Sequence, residues 1–106
     1  MRDVSNVPEG SEAFDGLHAE LKERLVDWIY RGLTPTAKFN TDRTSYGMKH
    51  IFSSQVRQND SDDTYVTNGE FKGAMLHCGF VAKDESALNW NFNVSKNSPA
   101  LKRHDG

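Results

Sequence analysis

The chain is poor in the features that most quickly reveal a protein's role. Cys78 is its only cysteine among 106 residues, so no disulfide can form within it. No apolar run approaches the length of a membrane span, and nothing has the pattern of a signal peptide. The expected setting is therefore a reducing cytoplasm, with Cys78 a small buried hydrophobe on the inner side of a helix. Neither sign of charge dominates either: thirteen Lys and Arg oppose fifteen Asp and Glu, a net charge of −2. That balance excludes the profile of a strong, nonspecific nucleic-acid binder. It is uneven along the chain, with seven acids against four bases in residues 1–36 and eight against nine in the remainder. A nucleic-acid surface would have to be local and in the second part.

Metal and catalytic patterns are missing as well. His18, His50, His77 and His104 are scattered without ligand spacing. Asp60, Asp62 and Asp63 lack the further oxygens and closing glutamate of a calcium loop, and read as a solvated connection. N-G-E-F-K-G at Asn68–Gly73 lacks the glycine order of a phosphate-binding loop. A histidine–thiol pair would need His50 to reach Cys78 in space. The expectation is a non-catalytic protein with no cofactor and no metal.

What is present is a fold outline. Thr67 and Glu70 form a capping box that starts a helix at Asn68. Phe71, Ala74, Met75 and Cys78 recur along one side of it, and Gly79 is placed for the left-handed turn beyond Cys78. A helix of about ten residues is too short to stand alone, so it must dock. Upstream, Met1–Gly10 reads as a flexible leader. Ser11 caps a helix predicted to run to about Arg31, with Phe14, Leu17, Leu21, Leu25, Trp28 and Ile29 as its apolar stripe and Gly32 as its exit. Pro35 prevents early resumption of helix. Thr44 or Ser45 caps a second helix to about Ser54, with Tyr46, His50 and Ile51 approaching the core.

Leu88, Trp90, Phe92 and Val94 alternate with asparagines, the period of a half-buried strand. A lone strand needs a partner, here Thr64–Thr67 or the edge of a second copy in a homodimer. Lys96–Gly106 reads as a mobile tail. One domain over residues 11–95 follows, mainly α with a small β component. It is a compact three-helix domain with a short hairpin or wing, compatible with a winged-helix-like arrangement.

In that arrangement Asn68–Cys78 enters the major groove of double-stranded DNA and presents Asn68, Lys72, Gly73 and His77, with Asn68 either reading adenine or completing the helix cap. Lys49 joins Lys72 as a phosphate contact, and Lys83 and Lys96 act as wing contacts. The ten-residue loop between the two short helices exceeds an ordinary helix-turn-helix turn. Trp90 and Phe92, on one strand face, read first as core.

The segments T-S-Y-G-M-K-H-I-F (Thr44–Phe52), Y-V-T-N-G-E-F-K-G-A-M-L-H-C-G-F (Tyr65–Phe80) and N-W-N-F-N-V-S (Asn89–Ser95) resemble small proteins encoded by bacteriophages and other bacterial mobile elements. The resemblance carries no catalytic residues. It implies either nucleic-acid binding or inhibition of a host protein, including components of bacterial immune systems such as the targets of anti-CRISPR proteins. Under the second implication, the acidic first helix is the surface to examine for a basic partner.

Overall fold

The computed structural model describes residues 11–106, so the leader expected over residues 1–10 lies outside the described residues. Five helices are present among the described residues: α1 (Ser11–Asp15), α2 (Ala19–Gly32), α3 (Ser45–Val56), α4 (Asn68–His77) and α5 (Pro99–Asp105). The protein is mainly helical with a small β component.

The first helix is not continuous. Helix α1 stops at Asp15, and His18 adopts an extended backbone from which its Nδ1 accepts the Glu20 N–H at 3.3 Å. Gly16 makes the break inexpensive, because glycine costs about 1 kcal/mol in a helix interior. The break lets α1 pack on α4 through the rings of Phe14 and His77, 5.0 Å apart. Helix α2 buries Leu25, Trp28 and Ile29. Its last residue is glycine for a packing reason: a Cβ on Gly32 would lie 2.8 Å from the Ala100 Cβ of α5.

Helix α3 starts on Thr44, whose Oγ1 accepts the Gly47 N–H, and runs two residues past the expected Ser54. Its inward residues are Met48, Ile51 and Phe52. Tyr46 and His50, predicted on the core side, are exposed, a shift of face that admits Met48 instead.

Helix α4 has the predicted box: Thr67 Oγ1 accepts the Glu70 N–H at 3.0 Å, and Glu70 Oε1 accepts the Thr67 N–H at 2.7 Å. Gly79 takes the left-handed conformation, φ 91°, just beyond. The predicted solvent-facing side of α4 is mostly covered, with His77 left exposed at its end. Lys72 and Gly73 are buried along with Phe71, Ala74 and Met75, because α1, α2 and α3 all pack against this helix.

Of the alternating residues Leu88, Trp90, Phe92 and Val94, the last three lie in the core, whereas Leu88 is exposed. Their pairing differs from expectation. Phe92 bridges Ala82 and Val94 bridges Pro35, both antiparallel, and Thr64–Thr67 takes no part. Thr36 and Lys83 donate backbone N–H groups to Asn93 and Asn91 from two different segments. The segment is thus held inside its own chain, where a strand-edge dimer had been one prediction.

The tail expected to be mobile is helical from Pro99 to Asp105. Ser98 Oγ anchors it by donating to Ser95 O and accepting the Thr34 N–H. Ala100 and Leu101 are buried against α2 and α3, and Arg43 forms an ion pair with Asp105. At the centre, Trp28 presents its ring edge-on to Phe52 and Phe71, with centroids 5.6 and 6.3 Å apart.

Candidate functional site

The six side chains predicted to meet nucleic acid do not come together as one exposed face. Lys49 and Lys72, the expected phosphate contacts, are only 4% and 1% exposed. The reason is aromatic: the Lys72 ammonium sits 4.7 Å from the centre of the Trp90 ring, and that of Lys49 lies between Tyr46 at 5.2 Å and Tyr65 at 4.5 Å. A lysine buries its methylene stem readily when ring faces receive its charge. Burial lowers the Lys49 pKa, opposed by the Glu70 carboxylate.

Asn68, expected either to read adenine or to complete the helix cap, ties the start of α4 to the following loop. Its Nδ2 donates to Leu88 O at 3.1 Å and to Asn89 Oδ1 at 2.9 Å. His77 is exposed but rests on Phe14. Lys96 is paired with Asp42 at 3.1 Å. Lys83 is exposed on the bridge to Asn91. The last three remain at the surface, without the buried pair that was to have joined them.

A different surface is assembled around Lys49. Tyr46 projects from the first turn of α3 and Tyr65 from the segment before α4, so one buried ammonium holds two rings that are 51% and 60% exposed. His50, one turn along α3, lies edge-on to Tyr46 with centroids 4.6 Å apart. Leu88, outside this cluster, is 78% exposed, with its carbonyl held by the Asn68 side chain. The signal for this cluster was present as Tyr46 and Lys49 three residues apart on a helix. What the sequence could not supply was Tyr65 from another element.

Neither thiol nor metal chemistry gathers here. His50 faces Tyr46, whereas Cys78 neighbours Tyr30 and its thiol is pushed up to about 11 by burial. Such a thiol stays protonated near neutrality and is a poor nucleophile. Among the described residues, no group of three or more His, Cys, Asp or Glu side chains could hold a metal ion.

Of the acidic residues expected in a solvated loop, Asp60 and Asp63 are exposed, whereas Asp62 is half-buried. Asp62 receives a two-pronged bond from Arg24 at 3.0 and 2.8 Å, and Arg24 also donates to Val56 O. This joins α2 to the loop after α3. The Arg24 bond, helped by the Gln58 N–H, draws the Asp62 carboxyl down to about 2.

No helix among the described residues is long and apolar enough to cross a membrane. The fold and the aromatic cluster describe a small, mainly helical protein. No family model, curated protein or solved structure matches the chain.

Proposed function

We propose that this is a non-catalytic binding protein that occupies the surface of another protein, in the manner of host-protein inhibitors encoded by mobile elements. The observation that carries the reading is the pair of exposed rings, Tyr46 and Tyr65, braced on the buried Lys49. Rings already held in place lose little freedom on docking, and tyrosines are efficient interface anchors. The complementary partner presents apolar pockets with hydrogen-bond acceptors at their rims for the two phenols.

Nucleic-acid binding through a winged-helix arrangement is the weaker reading. It asks α4 to lie in a groove, but Lys72 and Gly73 are covered by the protein itself. The near-neutral net charge gives it no help.

The test is isolation of a stoichiometric complex from bacterial lysate, followed by affinity measurement with the purified partner. Each of Tyr46→Ala and Tyr65→Ala should weaken that complex about thirtyfold, the scale of an interface hot spot. DNA and RNA titrations at several salt concentrations should show no salt-sensitive binding. Salt-sensitive binding lost in a Lys83→Gln, Lys96→Gln variant, or a complex indifferent to both tyrosines, would overturn the proposal.

A further inference from the structure

A second feature lies at the other end of α3, ten residues and about 15 Å along the helix from Tyr46. Helices α2, α3 and α5 meet there around an open cavity of 310 Å³. Three guanidinium groups line it, from Arg24, Arg31 and Arg103, against one carboxylate, Asp27. Trp28 and Val56 supply apolar wall.

The three arginines are not equivalent. Arg24 is committed to the structure, with its fork engaged by Asp62 and by the Val56 carbonyl. Arg31 gives only its Nε–H to Asp27, at 2.7 Å, and its side chain is 81% exposed. Its two terminal nitrogens point away from that contact by the geometry of the fork. Arg103 donates from Nη2 to Gln55 Oε1 at 3.0 Å, a neutral oxygen that leaves its charge uncancelled. Gln55 is itself fixed: the same oxygen accepts the Trp28 indole N–H at 3.0 Å, and its Nε2 donates to Ala100 O at 2.8 Å. The Arg103 head is therefore positioned by a chain of bonds that runs into the core.

Two guanidinium groups with spare donors, one of them held in place, form a receptor for a planar oxyanion. The cavity is at the lower end of the size range for small-molecule sites, and its tryptophan and valine wall favours an organic group over a bare inorganic ion. We infer that this cavity binds the carboxylate group of an organic ligand between Arg31 and Arg103, with the attached carbon chain against Trp28 and Val56. The carboxylate is either that of a free acid or that of an acidic side chain in a docked polypeptide. The inference is independent of the tyrosine surface and of what binds there.

The test is titration of the intact, isotope-labelled protein, followed by the NMR signals of the Trp28 indole N–H and the arginine Nε–H groups. Glutarate, an acetylated Leu-Glu-Leu-Glu amide and inorganic phosphate are the three probes. Saturable shifts with glutarate or the peptide are expected, and whichever binds more tightly identifies the source of the carboxylate. Each of Arg31→Gln and Arg103→Gln should weaken binding at least about tenfold, the loss of a charge-assisted hydrogen bond. Asp27→Asn, which removes the competing carboxylate, should tighten it. Absence of saturable shifts with both carboxylates, phosphate binding as tightly as glutarate, or affinity unchanged in both arginine variants would overturn the assignment.

Discussion

The Lys72 ammonium lies 4.7 Å from the centre of the Trp90 ring, with the lysine 1% exposed. This contact fastens α4 to the extended segment and removes from the surface the side chain that had looked most like a phosphate contact. Lys72→Ala should cost about 3 kcal/mol, combining lost packing with a desolvated cation–π contact. Urea unfolding measures the loss, and a red shift of tryptophan emission should accompany it. A variant as stable as the parent would mean that Lys72 is a surface residue.

The acid behaviour should depend on Asp62. Its carboxyl is held at about 2 in the folded chain against an ordinary 3.8. The folded value is the lower one, so the contribution of the Arg24–Asp62 pair is complete above 3.8 and is lost as pH falls through about 2. Unfolding free energies across that window should fall less steeply for Asp62→Asn than for the parent. Parallel curves would separate Asp62 from the acid response.

Gly32 and Ala100 should behave as a coupled pair. Gly32→Ala brings two methyl groups to 2.8 Å and must push α5 away from α2, at a cost of about 2 kcal/mol. Adding Ala100→Gly removes the collision, so the double variant should lose less stability than the two single losses combined. Simple additivity would show that α5 moves freely over α2.

Thr67→Ala should remove about 1 kcal/mol by leaving the Glu70 N–H without its cap. Amide hydrogen exchange should quicken first at the start of α4, where the box is lost. Unaltered exchange there would make the two bonds incidental.

These sites also mark how far the sequence could be read. The capping box and the left-handed Gly79 were legible because each is a local pattern whose partners lie within a few residues. The inward turn of Trp90, Phe92 and Val94 was legible because a period of two fixes sidedness. The pairing of that segment was not, because Pro35 and Ala82 carry no strand signature of their own. Helix α5 was illegible for a similar reason: seven residues with only Ala100 and Leu101 to bury cannot form an isolated helix and depend on α2 and α3. The break before α2 rests on the His18 side chain acting as a cap, an uncommon use of histidine.

The candidate site was misread at Lys49 and Lys72 because helical patterning assigns every lysine to water. Only the assembled fold brings Tyr65 to one ammonium and Trp90 to the other. The same assembly created the tyrosine surface, which no single stretch of sequence contains.

The seating of Leu101 in the central cluster also sets an order on birth of the molecule. A nascent chain paused with Leu101 still inside the ribosome would leave the inner surfaces of α2 and α3 without the residues that cover them. Final closure of the interior must therefore wait until this leucine has emerged from the ribosome.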